Sequence, residues 1–441
     1  MEQLLTSTRH IEKAEEGQYL EIPFEVPDGV ERIDIRYHYK RFQEEAAEEG
    51  MMAREVNIID LALISPAGYV GASGSNRLHI YVSAADTSRG YMAMPVSLGT
   101  WTIIAGAYHV EADGVDVHYE ITLTMKTRRL LKGDLHMHST ASDGHLTTAE
   151  LMTEAVRCGL DYICITDHNA FSQNDEMAAP PPGLTMIPGM ELTHYKGHCN
   201  FMGVRRPVEN PFGVNCFEQL KKKMEEAHEK GAVVSVNHPF SDCPWKWGLE
   251  ETQYDLVEIW NGGALPEENC KCLEWWQGEL IKGRKLPITG GSDFHFTEPL
   301  RTVACPTTWV YAESREPEDI LTALKAGHGF ITLHHQGPVI QVSAGEAILG
   351  DTVPEGTAVN VRFEKLAAGD RIHVITDQNE DIYTCDRSMK WQEFVWKAED
   401  AMFIRFEVYR SALYPTVNVP CLISNPVYIS KYNALENDDD K

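Results

Sequence analysis

The sequence predicts an α/β protein with a central parallel region between two β-sandwich-like regions. Three observations predict it. Apolar and polar residues alternate in short runs up to residue 126, short apolar runs alternate with helical patterns over residues 127–335, and strand-like patterns return over residues 336–433. With 441 residues, 43% of them hydrophobic, the chain is long enough for two or three domains with separate cores.

Residues 1–126 are predicted to form a β-sandwich or jelly-roll domain. Ile33, Ile35 and Tyr37 alternate with charged residues, and residues 115–125 repeat that period of two. Further short strands are expected at residues 56–64, 78–83 and 101–107, separated by turn signals. No residue set in this region has a catalytic pattern, so the expectation is a structural or substrate-shaping domain.

Residues 127–335 alternate between strand and helix signals. Thr147 and Glu150 form a capping box, which predicts a helix that runs to about Gly159. Further helices are predicted at residues 217–230, 268–282 and 316–326, and buried strands at residues 162–165, 185–188, 232–236, 256–259, 287–289 and 302–310. This repetition implies a parallel sheet, open or closed, with chemistry on the loops that follow the strands.

Residues 336–433 lack long helical patterns. Strands are expected at residues 339–342, 359–363, 371–375 and 403–409, which suggests a second small β-sandwich-like domain. Residues 434–441 read as a solvated acidic tail.

Composition excludes several function classes. The net charge of −27 argues against an extended nucleic-acid surface or an anionic membrane partner, although a small nucleotide stays compatible with it. The ten cysteines contain no CxxC pair and are interpreted as reduced thiols of a cytoplasmic protein. No signal peptide pattern and no apolar run of about 20 residues is found.

Polar clusters follow the predicted strands. Nine residues are candidate ligands of a multinuclear metal site: His136, His138, Asp143, His168, Glu191, His198, His238, Asp293 and His295. The two-apart spacing of His136 and His138 puts two imidazoles on one side of an extended chain. Asp143 reads equally well as a turn aspartate. Asp167 is better placed to hold a loop or an imidazole than to bind metal.

The mixed nitrogen and oxygen donors predict two or three divalent cations, with Mn²⁺, Fe²⁺ or Zn²⁺ all compatible. A carboxylate such as Glu191 can bridge two cations, and a hydroxide between them forms near neutral pH. His145 and His194 are left out of the site. His334 and His335 are interpreted as surface or structural residues.

These clusters resemble the PHP (polymerase and histidinol phosphatase) family of metal-dependent hydrolases. The resemblance rests on H-x-H at His136, I-T-D-H ending at His168, Glu191 with His198, N-H-P around His238, and S-D-F-H ending at His295. It implies a distorted (β/α)7 barrel and a division of the ligands among three metals. The first metal would be held by His136, His138, Glu191 and Asp293, the second by Glu191, His198 and His238, and the third by Asp143, His168 and His295. Asp143 stands where other members use histidine.

The flanking β-regions resemble the CehA/McbA-type subgroup, on I-D-L-A-L from Ile59 and S-N-P-V-Y-I from Ser424. That subgroup contains carbamate hydrolases, and most of its members look like phosphoesterases of unknown substrate.

The first functional hypothesis is a phosphoesterase whose metal-bridging hydroxide attacks phosphorus. Asp293 and His238 hold the cations that form it. Arg301 is a candidate phosphate ligand or an ordinary surface arginine, and Asn200 and Asn261 are candidates for substrate orientation. The partner is then a small, phosphorylated ester. The alternatives are a carbamate or carboxyl ester hydrolase on the same site and, less favoured, a non-catalytic metal-binding module.

Overall fold

The computed structural model describes residues 2–43, 54–176, 180–263, 267–298, 301–397, 399–410 and 420–430. The acidic tail predicted at residues 434–441 lies outside them. The chain divides into two compact units. Unit 1 comprises Met1–Arg128 with Ser314–Glu316, and unit 2 comprises Arg129–Glu313 with Pro317–Lys441.

Unit 1 consists of two antiparallel four-stranded sheets around one core. Its strands are β1 (Glu2–Ile11), β2 (Tyr19–Val26), β3 (Val30–His38), β4 (Ile58–Ser65), β5 (Gly68–Ser73), β6 (His79–Ser83), β7 (Gly99–His109) and β8 (Val115–Met125). The sheet orders are β1-β8-β3-β6 and β2-β7-β4-β5. Alternate residues of each strand, such as Ile33, Leu61 and Ile121, are buried in the shared core. A 3-10 turn at Lys13–Glu15 follows β1.

The first part of unit 2 mixes strands with the five helices found among its described residues. The strands are β9 (Arg129–Asp134), β10 (Tyr162–Cys164), β11 (Thr185–Ile187), β12 (Gly189–His194), β13 (Gly197–Met202), β14 (Val233–Asn237), β15 (Leu256–Asn261), β16 (Ile288–Gly291), β17 (Thr307–Ala312) and β18 (Gly329–Thr332). The helices are α1 (Thr148–Arg157), α2 (Gln173–Glu176), α3 (Phe217–Glu229), α4 (Glu267–Ile281) and α5 (Pro317–Lys325). Helix α1 begins after Thr147 with both hydrogen bonds of the predicted capping box.

The strand pairing is mixed, and the closed (β/α)7 barrel is not confirmed. Strands β9, β10 and β11 pair in parallel in one sheet, and β14, β15 and β16 pair in parallel in another. Strands β12 and β13 form an antiparallel hairpin, and β17 pairs antiparallel with both β9 and β18. Strands β16 and β17 are connected through the Thr308 hydroxyl, which accepts a hydrogen bond from the Gly290 N–H and donates one to the Gly290 carbonyl.

The last part of unit 2 extends the sheet that contains β9. Its strands are β19 (Val339–Ser343), β20 (Thr352–Pro354), β21 (Ala358–Leu366), β22 (Arg371–Ile375), β23 (Glu380–Thr384), β24 (Met389–Lys397), β25 (Phe403–Tyr409), β26 (Pro420–Ser424) and β27 (Val427–Ser430). The order β11-β10-β9-β17-β18-β26-β25-β22-β23 places β26 between β18 and β25. The predicted domain boundary at residue 336 therefore falls inside one sheet, and a separate C-terminal domain stays a prediction.

Asp255 connects helices α3 and α5 to the strands of unit 2. Its carboxylate lies 2.9 Å from His228 Nε2 and 3.0 Å from Lys325 Nζ, and it accepts a hydrogen bond from the Val234 N–H at 2.9 Å. Burial raises the pKa of this carboxyl, but these donors outweigh burial and hold the pKa below its ordinary value. The ionised carboxylate therefore stabilises the folded state.

Asp255→Asn is expected to lower the free energy of unfolding by about 1–3 kcal/mol near neutral pH, because it removes charge-assisted hydrogen bonds. Since the folded-state pKa lies below the unfolded value of about 3.9, the stabilisation is complete above that value and is lost as the pH falls through the folded pKa. Urea unfolding of both proteins at neutral and acidic pH measures this. The exposed Asp381→Asn is the control, and a deficit that stays constant on acidification contradicts the expectation.

Among the described residues, no helix is both long enough and apolar enough to cross a bilayer. All ten cysteines are free thiols.

Candidate metal centre

The loops that follow β9 and β16 run side by side and carry four of the candidate ligands. The His138 N–H donates to the Phe294 carbonyl at 2.9 Å, and the Asp293 N–H donates to the His136 carbonyl at 2.8 Å. Met137 and Phe294 form a parallel bridge. These backbone bonds align the H-x-H segment with the D-x-H segment, so their two-apart side chains meet at one place.

The first group of donor atoms consists of His136, His138, Glu191 and Asp293. His136 Nε2 lies 3.2 Å from Glu191 Oε1 and 3.3 Å from Asp293 Oδ1. His138 Nε2 lies 3.1 Å from the same Asp293 oxygen. All four side chains are buried or nearly so. Imidazole nitrogens and carboxylate oxygens at these separations can surround one cation.

The second group consists of Glu191, His198 and His238. Glu191 lies on β12 and His198 on β13, and these two strands form the hairpin. His198 Nδ1 is 3.3 Å and His238 Nε2 is 3.7 Å from Glu191 Oε1. Glu191 therefore belongs to both groups, as a bridging carboxylate does.

The third group consists of Asp143, His168 and His295. Asp143 Oδ1 lies 3.5 Å from His168 Nε2 and 3.3 Å from His295 Nε2. His138 also has a ring nitrogen within 4.8 Å of these donors. Asp143 is the most exposed member, with 60% of its side chain accessible. The structure thus brings all nine predicted ligands close together. Eight of them fall into groups whose donor atoms lie within 4.8 Å of one another, and Asp293 joins them through its contacts with His136 and His138.

Glu191 is the electrostatic centre of this cluster. Its side chain is fully buried, and imidazoles of His136, His168 and His198 lie within 3.3 Å of its oxygens. Burial alone raises the pKa of its carboxyl, but the imidazoles outweigh burial and hold the pKa well below the ordinary value. Asn237 Nδ2 also donates to Glu191 Oε1 at 2.7 Å. Glu191 is therefore ionised and firmly oriented.

His136 tests whether a cation fits this donor set. Its Nδ1 faces Glu258 at 3.0 Å, while its buried Nε2 has no hydrogen-bond partner among the described residues. Burial lowers the pKa of this imidazole, but the carboxylates of Glu258, Asp293 and Glu191 outweigh burial and raise it well above the ordinary value. Without a proton, the lone pair of Nε2 would face the lone pairs of two carboxylate oxygens, on Glu191 and Asp293, and repel them. A positive charge between these three atoms is therefore required. A divalent cation fits that requirement, and the absence of thiolate from the group suits Mn²⁺, Fe²⁺ or Zn²⁺.

Glu258 was missed in the sequence. Its Oε1 faces His136 Nδ1, and its Oε2 accepts from the His238 N–H at 3.1 Å and from Asn261 Nδ2 at 3.0 Å. A carboxylate on Nδ1 fixes the imidazole with Nε2 free for a metal. The available signal was its position, because Glu258 is the one charged residue of the buried strand L-V-E-I-W-N.

Two buried aspartates hold the loops that carry the ligands. Asp167 accepts from the Ser139 N–H and from the hydroxyls of Ser139 and Ser142, so it fixes the loop before Asp143. Asp134 accepts from the N–H groups of Ser292 and Ala304. Burial outweighs these bonds and raises the pKa of Asp134 to about 6.

A cavity of about 340 Å³ opens beside the cluster. Of the two predicted substrate contacts Arg301 and Asn200, one lines this cavity and the other does not. Arg301 lines it together with His168, His198, His238, Asp293 and His295. Asn200 does not line it. Asn200 is buried, its Nδ2 donates to the Leu135 carbonyl at 3.2 Å, and its Oδ1 accepts from Asn237. The predicted direct role of Asn200 is therefore corrected to support of Asn237 and, through it, of Glu191.

Residues left out of the site lie at its periphery or away from it. His194 contacts Trp247, and His145 stacks on Phe296 with ring centroids 4.9 Å apart. His334 and His335 contact each other and belong to none of the donor groups.

Comparison with known proteins finds a family match for part of this site. Residues 134–237 match the PHP domain. That segment contains His136, His138, Asp143, His168, Glu191 and His198, whereas His238, Asp293 and His295 follow it.

The curated relatives are nucleic-acid-processing hydrolases. The chain is 28% identical over 138 residues to the 5′-3′ exoribonuclease Rnm of Salmonella typhimurium and 30% identical over 138 residues to that of Escherichia coli. Each match covers 30% of this chain and 44% of the relative. The chain thus spans less than half the length of these relatives.

Solved structures also show likeness. A two-domain protein from Bacteroides vulgatus, containing a predicted PHP-like metal-dependent phosphoesterase, is 20% identical with a TM-score of 0.41, over 67% of this chain and 95% of that one. An amidohydrolase from Chromobacterium violaceum is 15% identical with a TM-score of 0.28, over 38% of this chain and 91% of that one.

Proposed function

We propose that this protein is a metal-dependent phosphoesterase that works with two or three divalent cations. The observation that carries the proposal is the position of Arg301. It is the cationic side chain on the wall of a cavity that the metal-ligand candidates also line. Within the described residues, its guanidinium has no carboxylate within 4.0 Å, although the chain carries 66 acidic side chains. An unpaired guanidinium beside a cation cluster suits a phosphate group.

The ligands are proposed to divide among three cations. The first is held by His136, His138, Glu191 and Asp293, the second by Glu191, His198 and His238, and the third by Asp143, His168 and His295. The short distances within each group and the central position of Glu191 support this division. The exposure of Asp143 makes the third cation the one that dissociates first.

Cations bound there lower the pKa of water and neutralise the charge of a phosphate ester. The protein's own residues supply position and charge. Arg301 holds a phosphate oxygen pair in two parallel hydrogen bonds. Glu191 would be a ligand shared by the first and second cations, and Asn237 and Thr193 fix its orientation by donating hydrogen bonds to its oxygens. Glu258 keeps His136 in the orientation that exposes Nε2.

Two other substrate classes are outcomes of the test. The exoribonuclease relatives make RNA one further candidate substrate. The CehA/McbA-type subgroup, to which we assign the chain from its flanking motifs, makes a carbamate ester another. The net charge of −27 disfavours an extended RNA strand. A carbamate carries no negative charge, so it gives Arg301 no counter-ion.

The test is hydrolysis by Mn²⁺-, Fe²⁺- and Zn²⁺-loaded protein of four substrates: an aryl phosphomonoester, a bis-aryl phosphodiester, an aryl methylcarbamate and a short 5′-phosphorylated oligoribonucleotide. Chelator-sensitive turnover of a phosphate ester is expected, with loss of about tenfold or more in kcat/KM in Arg301→Ala. The exposed Arg387→Ala is the matched control.

Carbamate turnover that Arg301→Ala leaves intact, with no phosphate activity, overturns the proposal in favour of the ester hydrolase. Cation binding without turnover of any substrate class would favour the metal-binding module. Metal analysis of the purified protein reports which cation it retains and how many per chain.

A further inference from the structure

Asn261 lies on the wall of the cavity beside the metal-ligand candidates, at the end of β15. It is 8% exposed, and Arg301 and the candidate ligand Asp293 line the same cavity. Its backbone N–H and carbonyl are bonded to Asn269, at 3.1 and 3.0 Å. The main chain of Asn261 is therefore fixed, and this fixes the direction in which its side chain leaves the strand.

Glu258 determines which end of the Asn261 amide faces the cavity. Asn261 Nδ2 lies 3.0 Å from Glu258 Oε2. A carboxylate oxygen only accepts hydrogen bonds, so the amide nitrogen must be the atom that faces Glu258. The amide oxygen Oδ1 is then the end that remains, and within the described residues no donor bonds it.

The other polar groups of the cavity wall are either occupied or acidic. The Ser241 hydroxyl bonds His238 Nδ1 at 3.0 Å, and the Asn269 amide is used by the backbone of Asn261. Asp242 and Glu268 line the cavity as carboxylates. Glu268 also lies in the first turn of α4, where a carboxylate stabilises the helix N-terminus. Apart from Arg301 and the metal-ligand candidates, the free polar groups on this wall are therefore acceptors.

Resting on the proposed phosphoesterase function, we infer that the alcohol part of the substrate carries a hydrogen-bond donor that binds Asn261 Oδ1. Arg301 and the cations take the phosphate, and Asn261 selects a hydroxyl or an ammonium on the group that leaves. An acceptor that a bound ester shields from water is costly without a donor, so an ester that lacks the donor is bound less well. Asp242 and Glu268 add a preference for an ammonium over a hydroxyl.

The experiment compares alkyl phosphates of two and three carbons that differ only at their far end, which is a hydroxyl, an ammonium or a methyl group. The matching alkyl phosphonates, which are not hydrolysed, are titrated into metal-loaded protein by calorimetry. We expect kcat/KM, and affinity for the phosphonate, to be about tenfold or more higher for a donor-bearing compound than for its methyl analogue. If the ammonium compound has a higher kcat/KM than the hydroxyl compound, and this advantage falls as salt is added, Asp242 and Glu268 contribute to the preference.

In Asn261→Ala, the ratio between donor-bearing and methyl compounds is expected to fall to about one. Asn261→Ser serves as a second variant, because its hydroxyl can still donate to Glu258 but is too short to reproduce the amide acceptor. Asn360→Ala, the same change on an exposed strand residue, should leave the ratio unaltered.

Two outcomes overturn the inference: equal use of methyl and donor-bearing compounds by the unaltered protein, or an unchanged ratio in both Asn261 variants. Failure of the proposed function looks different. In that case no phosphate ester is hydrolysed, while the phosphonate titration still reports whether Asn261 selects a donor.

Discussion

Asp293→Ala and His238→Ala are each expected to reduce phosphoesterase turnover by more than about a hundredfold. Asp293 Oδ1 lies within 3.3 Å of nitrogens on both His136 and His138, so its loss removes a carboxylate from the centre of the first group. His238 faces the bridging Glu191. In the proposed division of the ligands, each change removes one ligand of a cation that the chemistry would need.

Turnover of the aryl phosphate and cations bound per chain are measured for both variants over a range of Mn²⁺ concentrations. The controls are Asp381→Ala and His334→Ala, which make the same changes at exposed positions outside the donor groups. Near-normal turnover in either ligand variant would contradict the assignment of the site. If excess metal fully restores turnover, the residue raises the affinity for the cation but is not needed for the reaction itself.

Glu258→Gln is expected to weaken cation binding by about 10- to 100-fold, the usual effect of removing the carboxylate that orients a metal-bound histidine. The glutamine keeps the shape of the side chain, but its amide nitrogen cannot accept a hydrogen bond. One of the donors now bound by Glu258, on His136, His238 or Asn261, is then left without a partner.

Calorimetric titration with Mn²⁺ gives the affinity, and activity against Mn²⁺ concentration gives the concentration needed for half-maximal rate. Both curves should shift together, whereas a loss of stability alone would lower the active fraction without moving either. The matched control is Glu279→Gln, an equally buried glutamate on α4 that pairs with Lys282. An unshifted Mn²⁺ titration in Glu258→Gln would refute the orienting role.

The sequence predicted the donor set better than the elements that carry it. His136, His138, Asp293 and His295 follow strand ends that are visible as short apolar runs, and their two-apart spacing needs no tertiary information. The hairpin of β12 and β13 was not predicted. Glu191 and His198 interrupt its apolar pattern, because donors of a buried site lie where an ordinary strand buries apolar side chains.

Glu258 and Asn200 show the complementary limit. Both are buried polar residues in strands, and sequence alone does not tell whether such a residue faces the substrate or supports its neighbours. Glu258 contacts His136 from a position 122 residues away in the chain, and Asn200 contacts the Leu135 carbonyl across 65 residues. Only the tertiary arrangement brings these pairs together.

The alternation of strands and helices predicted a parallel sheet, open or closed, and the family resemblance implied that the sheet closes into a barrel. That pattern fixes neither the direction of β17 nor its neighbours. Strand β18, which follows helix α5, pairs antiparallel with β17. Strand β26, from much later in the chain, pairs on the other side of β18. Pairings between strands so distant in sequence leave no local signal.

The insertion of β26 between β18 and β25 has a consequence for biosynthesis. Translation adds about 5–20 residues per second and domains fold as they emerge. All nine candidate ligands, the last of which is His295, leave the ribosome well before Pro420–Ser424. Until then the nascent chain exposes the unpaired edges of β18 and β25, which are templates for wrong pairing. Both edges stay open to such mispairing until β26 emerges and pairs with β18 and β25.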